Sequence, residues 1–398
     1  MNWKQISRGS LAAIVSAGLG LGTTACSRDY TVAFVYATAS TLTSEGVVDG
    51  YQVDYQSGAL TQLANSPTDS GGRDPVTLVA SPSGKYIYVV NNFNSNVVEF
   101  AVGTDGKIYA QHTYNVIGSF PVSASIDPSG SYLYVASTLQ PGFTNALPGP
   151  GNITIFPITT TDGSLGTPTA VNVGFNPVAI TASQYHTGVT NNFVYVAQRN
   201  TPTAGSVLTF EHASGSATLT PIDASVNSGV PAGVTPTALA VDPTAHFLYV
   251  TDATSNQLIG YGLPASGLPA AMTNGPFATG SYPSSVTIDP RAKYMYVTNF
   301  NSSTVSAYVI NQATGNPSAA NSGTGATGTS PNCVTIEPAL GIYLYVTNNG
   351  DQTISALQLS PNNGTLKNVQ NTPFLASALP TCLVAVGNGS HATQVVNN

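Results

Sequence analysis

SYPSSVTIDPRAKYMYVTNFNSSTVSAYVINQATG, residues 281–315, reads as three short strands in succession. Pro283 opens an alternating run through Ser285, Val286, Thr287 and Ile288, and Asp289, Pro290 and Lys293 belong to a tight turn. Tyr294 to Thr298 is aromatic and β-branched, Asn299, Phe300 and Asn301 make a polar loop, and Thr304 to Ile310 alternates again before Thr314 and Gly315 turn the chain back. Period-2 alternation between Asx, Pro and Gly turns predicts a β-meander without helix. A single sheet of this kind cannot bury both of its faces, so it must stack on copies of itself.

The copies are countable. The strand ending in Tyr-Val or its variant returns at Tyr36, Tyr88, Tyr134, Tyr195, Tyr249, Tyr296 and Tyr345. A glycine turn follows each third strand, at Gly58, Gly106, Gly163, Gly215, Gly267, Gly315 and Gly364. A proline opens each first strand, at Pro75, Pro121, Pro177, Pro236, Pro283, Pro331 and Pro380. The proline set is out of phase with the others. The unit at Tyr36 lacks a first strand before it, and the strand opened by Pro380 has no Tyr-Val strand after it. The two incomplete units complement one another, as in a ring whose last strand finishes its first blade, an arrangement that leaves few exposed strand edges. Residues 31–390 are therefore expected to form an all-β, seven-bladed β-propeller, with the C-terminal strand completing the N-terminal blade and residues 391–398 as a tail. Two positions after each proline the residue is small (Thr77, Ser123, Ala179, Ala238, Ser285, Cys333, Cys382), which suits sheets converging on a narrow axis.

Residues 1–25 have the pattern of a signal peptide: Lys4 and Arg8 precede a short apolar run that ends in Thr24-Ala25-Cys26. This end resembles the lipobox of bacterial lipoproteins, which implies lipidation of Cys26, a tether over residues 26–30, and a periplasmic or cell-surface location with the lipid as the membrane contact. Cleavage near Ala25 with Cys26 unmodified is the other reading. Without Lys4 and Arg8 the chain carries 8 basic and 17 acidic residues, which argues against nucleic-acid binding. Charged residues make up 7%, so solubility rests on Ser, Thr, Asn, Gln and Gly, as suits an extracytoplasmic medium. Trp3 is the chain's one tryptophan, so any sugar-stacking platform in the mature protein must use Tyr or Phe. Cys333 and Cys382 hold matching positions on first strands of adjacent blades and form either a disulfide pinning the closing strand or two free thiols.

In such a ring the loops between second and third strands share one face with the segments leading into each first strand, and ligands usually bind there. That face carries the candidate catalytic residues Arg73, Asp74, Arg199 and Asp252, and the candidate ligand-binding residues Asn91, Asn92, Asn299, Asn348 and Asp351. Its longest insertion, residues 138–152, is a candidate lid or an idle loop, and residues 225–235 and 319–330 are expected to be flexible linkers. Asp127, Asp242, Asp289 and Glu337 each precede Pro in the same turn and read as turn caps. The five histidines, His112, His186, His212, His246 and His391, do not cluster, and no metal-ligand spacing, GxSxG elbow or phosphate loop occurs. No metal or cofactor is expected. Hydrolysis would have to use the Arg and Asp residues alone to activate water and hold an oxyanion.

The strands LYVTD, MYVTNF and LYVTNN, with DPSG and SPSG turns before Tyr132 and Tyr86, are similar to YVTN-type propeller repeats. Over residues 31–390 the chain resembles the lactonase family of seven-bladed propellers, which includes bacterial 6-phosphogluconolactonases. Active members tend to open a first strand with Gly-Pro-Arg-His and to end a second strand with Asn-Glu. Here the first strands open GRDPVT, SFPVSA, FNPVAI, VTPTAL, SYPSSV, TSPNCV and ALPTCL, without Arg-His, and none of the second-strand ends at Asn91, Ser137, Gln198, Asp252, Asn299 or Asn348 is followed by Glu. The resemblance carries over the fold and not the acid and base. Three functions follow as expectations: a monomeric binding or scaffold propeller with no nucleic-acid partner, which holds a small molecule, glycan, peptide or protein at its channel mouth; a lactonase acting on an extracytoplasmic lactone; or a structural surface protein.

Overall fold

A computed structural model describes residues 31–183, 192–213, 215–222 and 229–389. The expected signal peptide, Cys26, the tether, His186, His391 and the tail lie outside the described residues. No helix occurs among the described residues, and the strands form seven antiparallel sheets. The first blade runs from its inner strand Leu379–Gly387 outward through Thr31–Ser40, Glu45–Asp54 and Leu60–Gln62. Blades 2 to 7 follow in chain order from inner strands Pro75–Ala80, Ser119–Ile126, Pro177–Ala182, Pro236–Val241, Pro283–Ile288 and Pro331–Ile336. Each inner strand touches the next, and Leu379–Gly387 touches both Pro331–Ile336 and Pro75–Ala80, so the circle closes.

Closure follows the register expected from the two incomplete units. Val35 lies opposite Ala385 and Ala37 opposite Leu383 in the antiparallel pairing of Thr31–Ser40 with Leu379–Gly387. Cys333 and Cys382 form a disulfide with Cα atoms 5.0 Å apart, joining the inner strands of blades 7 and 1. Asp49, fully buried, adds a non-covalent tie by accepting hydrogen bonds from the Ser377 N–H and hydroxyl just before the closing strand.

The tyrosines and turn glycines, two separate landmarks in the sequence, are the two halves of one contact between neighbouring blades. Tyr36 donates its hydroxyl to the Gly106 carbonyl at 2.5 Å, Tyr88 to Gly163 at 2.6 Å, Tyr195 to Gly267 at 2.9 Å and Tyr249 to Gly315 at 2.6 Å. Tyr296 reaches Gly364 at 3.1 Å, and Tyr345 reaches Gly58 at 2.8 Å across the closure. Gly315 shows why the turn needs glycine: its φ is +72°, and a Cβ there would come 2.4 Å from the Phe247 ring of the preceding blade. The junction of blades 3 and 4 is the exception. Tyr134 hydrogen-bonds His212 Nδ1 at 2.8 Å, and the Tyr132 ring meets the same imidazole edge-on at 4.5 Å. His212 is thus a buried structural residue.

The repeated carboxylates are turn caps, as their position before Pro suggests. Asp289 Oδ1 accepts the N–H groups of Lys293 and Tyr294 at 2.8 Å, Asp127 and Asp242 do the same in their blades, and Glu337 accepts four backbone N–H groups. Both linker expectations are corrected: residues 225–228 lie outside the described residues, but Val230–Pro231 pairs with Ser206 and Val207, and Asp252 accepts the Val234 and Thr235 N–H groups. Most of residues 319–330 is no flexible linker, because Pro317–Ala326 is the ten-residue outer strand of blade 6, paired along Thr304–Ile310. Its small side chains read as a linker, but on an outer strand the backbone ladder supplies the order.

Three outcomes are expected in urea denaturation. Tyr249→Phe should lose about 1–3 kcal/mol by stranding the Gly315 carbonyl, and Gly315→Ala about 2–4 kcal/mol through overpacking and strain. Cys382→Ser should cost about 2–4 kcal/mol by opening the covalent loop, and an unchanged midpoint would show that the closing strand does not depend on the disulfide.

Candidate functional site

Inner strands start, and second strands end, on one face, called here the near face; Pro283 pairs with Asn299 and Pro331 with Asn348 there. The glycine turns and carboxylate caps occupy the far face. At the near face Asn299 is buried, with Nδ2 donating to Thr304 Oγ1 at 3.1 Å and Ser306 Oγ at 2.9 Å, and Oδ1 accepting from Gly280 N–H at 3.0 Å. Asn348 makes the matching pair of bonds to Thr353 and Ser355, and Asn91 donates to Ser70 O and Asn96 Oδ1. Asp252 accepts from Val234 N–H, Thr235 N–H, Ser255 and Gln257. Asn91, Asp252 and Asn299 fasten the corner between second and third strands to the segment leading into their own blade's inner strand, and Asn348 ties that corner to the third strand. Asn91, Asp252, Asn299 and Asn348 are wholly buried and present no surface to a ligand.

The latch has a partner that the sequence reading missed. Three residues before the inner-strand proline stand Gly72, Gly118, Gly174, Gly233, Gly280 and Gly328, one in each of blades 2 to 7. At Gly280 an added Cβ would lie 2.6 Å from Asn299 Cγ, so the amide seats directly on the glycine. The fixed Gly-x-x-Pro spacing was the available signal.

The remaining candidates are more accessible but dispersed. Arg73 lies at the junction of blades 1 and 2, its guanidinium 4.1 Å from the centroid of the exposed Phe93 ring. Asp74 adopts φ +56°, and its carbonyl accepts the Asn92 N–H at 2.9 Å. Asn92 Nδ2 reaches across to the Pro121 carbonyl at 2.8 Å. Arg199 belongs to the junction of blades 4 and 5, with Nε 3.5 Å from the Pro236 carbonyl. Asp351 is exposed, and its carboxylate accepts the Thr329 N–H at 2.8 Å and the Thr353 hydroxyl at 2.6 Å. Neither arginine pairs with a described carboxylate. The structure therefore brings Arg73, Asp74 and Asn92 to one junction and leaves Arg199 three blades away.

The channel between these junctions is uncharged: no Asp, Glu, Lys, Arg or His stands on any inner strand. At its mouth Thr237, Ser284, Asn332 and Thr381 each donate to the proline carbonyl of the next blade, whereas blades 2 to 4 place Val76, Val122 and Val178 there. The insertion between Leu139 and Asn152 is folded back by a Gln140 N–H to Pro150 O bond and by the Thr144–Leu147 bridge, with Leu147 exposed at its tip. Among the described residues no histidine lies on the near face. His112 is on the outer strand of blade 2, where Nδ1 contacts Glu99 Oε2 at 3.1 Å, and His212 and His246 are at the far face. Glu99, a buried carboxylate also missed in the sequence, stands opposite Tyr88, where other blades have Gly50, Ile155, Thr209, Gly260, Ala307 or Ala356.

A family profile described as a lactonase, seven-bladed β-propeller, matches residues 44–140 and 225–336. The chain belongs to the lactonase family of seven-bladed β-propellers. Solved structures with the same fold include a 6-phosphogluconolactonase candidate from Bacteroides fragilis, at 18% identity and TM-score 0.69, covering 90% of this chain and 98% of that one. They also include the periplasmic gluconolactonase of Pseudomonas aeruginosa, at 17% identity and TM-score 0.71, covering 90% and 100% of the two chains. No curated protein matches the sequence. Within this lactonase-family propeller, the near-face amides that look like a ligand set in the sequence hold the blades' corners.

Asp252 gives the latch a pH signature. Burial pushes its carboxyl upward, but the hydrogen bonds from Ser255, Thr235, Val234 and Gln257 outweigh that and hold it below the usual aspartate range. A depressed folded value stabilises the fold above the ordinary aspartate pKa, and that stability is lost as pH falls through the folded value. The Tm should accordingly fall more between pH ~5 and ~3 in the unaltered protein than in Asp252→Asn. Parallel pH profiles of the two would show that the carboxylate does not hold the lead-in.

Proposed function

We propose that this lactonase-family propeller works outside the cytoplasm as a binding or scaffold protein whose near face holds a carbohydrate, peptide or protein partner. One observation carries the reading. Of eleven large apolar side chains exposed among the described residues, seven (Leu42, Phe93, Ile117, Leu147, Phe175, Tyr282 and Leu375) lie on near-face loops and lead-ins. Exposed apolar and aromatic groups gathered on one side of a charge-poor protein favour recognition there. The rim pairs such groups with neutral donors and acceptors, as where the Tyr282 and Phe300 rings lie 5.8 Å apart beside Asn301.

Chemistry is less well supplied. Lactone hydrolysis needs a group that activates water and donors placed on the forming oxyanion. The inner strands offer no ionisable side chain, Asp252 is buried in its latch, and Asn91 and Asn348 are committed within their blades. A lactonase reading is supported by family membership and by the two near-face arginines, of which Arg73 rests on Phe93 beside Asp74.

A panel of sugar and acyl lactones, assayed beside a glycan and peptide binding screen, separates the two. The purified protein should leave lactones at the buffer rate, and Phe93→Ala with Phe175→Ala should weaken the bound partner at least about tenfold. Turnover that disappears in Arg73→Ala or Arg199→Ala would establish the enzyme and overturn the binding reading.

A further inference from the structure

Both ends of the ring leave it at the same place. Thr31 begins the second strand of blade 1 at the far face, and Gly387 ends the inner strand of the same blade there, with the Asn388 N–H donating to the Val32 carbonyl. Cys26 stands five positions before Thr31 in the sequence, and a chain of that length spans at most about 18 Å. A lipid on Cys26 would hold the far end of blade 1 close to the bilayer surface.

The distribution of charge points the same way, independently of the anchor. Among the described residues there are seven lysines and arginines, and only Arg73 and Arg199 lie on the near face. Lys85, Lys107, Arg291, Lys293 and Lys367 are all in far-face turns or at the far end of an outer strand. All five belong to blades 2, 6 and 7, the sector that flanks blade 1 in the ring. Lys107 pairs with Asp105 and Arg291 with the buried Asp289, whereas Lys85, Lys293 and Lys367 are exposed. The accessible far-face acids Asp162 and Glu211 sit on blades 3 and 4, beyond that sector, while Asp54 and Asp105 lie inside it. A chain with excess negative charge thus collects its few cations around the point where it would be anchored. Each basic side chain near an anionic leaflet adds attraction, within a Debye length of the surface.

We propose that the far face around blade 1 is a docking surface for an anionic lipid membrane, so that the channel mouth and its exposed aromatic rim face away from the bilayer. The proposal rests on the exported, lipid-anchored reading of Cys26. It deepens the functional reading by presenting the binding face to the surroundings and not to the lipid.

The absence of tryptophan from the mature sequence makes the test direct. Tyr55→Trp reports from the far face of blade 1 and Phe93→Trp from the near face, each as the sole indole; Tyr55 and Phe93 are 45% and 56% exposed. The lipidated protein purified from cells is placed on vesicles of brominated phosphatidylcholine with about one-third brominated phosphatidylglycerol. The expected result is quenching at least about threefold stronger for Tyr55→Trp than for Phe93→Trp, reduced about twofold or more by the combined Lys85→Glu, Lys293→Glu and Lys367→Glu changes. Equal quenching, stronger near-face quenching, no effect of charge reversal, or a mature mass without an acyl group would each overturn it. The lactone and glycan screens involve no vesicles, so failure here is distinguishable from failure of the binding reading.

Discussion

A tyrosine hydroxyl held by the carbonyl of a turn glycine in the next blade is the interaction on which the rest of this ring depends. Sheets in a propeller touch mainly through side chains, and an apolar contact alone leaves their rotation about one another weakly specified. A directional bond at the far end of each junction fixes that angle, while the phenol ring is buried between the sheets. Burial pushes these hydroxyls well above the usual phenol range, so they remain donors at any physiological pH. The bond from Tyr345 to Gly58 applies the same geometry where the chain ends meet, beside the disulfide and the Asp49–Ser377 tie.

With blade angles set at the far face, the near face is free to vary, but less than its composition suggests. Each second strand ends in a polar residue because a tight corner and the lead-in beside it leave backbone groups that must be paired. Asn299 and Asp252 meet that need from inside the blade, and Asn348 ties the Thr353 and Ser355 hydroxyls there. What remains for recognition is the outermost layer: Phe93 under Arg73, the Tyr282–Phe300 pair, and the insertion tip at Leu147. Under the proposed binding function, recognition falls to these rim residues and not to the repeated polar set beneath them.

The architecture was legible from spacing because a ring repeats its constraints. Tyr, Gly and Pro recur in register, and the unmatched strands at Tyr36 and Pro380 announce the closure that the pairing of Val35 with Ala385 realises. The turn-capping role of Asp289 and its counterparts was legible for the same reason. The candidate site was not. A sequence shows that Asn91, Asn299 and Asn348 occupy equivalent positions, but equivalence is what a structural latch and a ring of ligands have in common, and only burial tells them apart. Glu99 and His212 were passed over for the opposite reason: each departs from its repeat once, and a single departure carries no period. Residues 319–326 misled because small side chains say little about a strand whose order comes from its backbone pairing.

The closed circle is tested most directly by native-state hydrogen exchange of the closing strand under oxidising conditions. If Leu379–Gly387 is an integral inner strand, the amides of Leu383 to Val386 should exchange as slowly as those of Val286 to Ile288 in blade 6, through the same cooperative opening. Faster exchange of that segment alone, as a unit opening independently of the other inner strands, would contradict a ring in which the last strand completes the first blade.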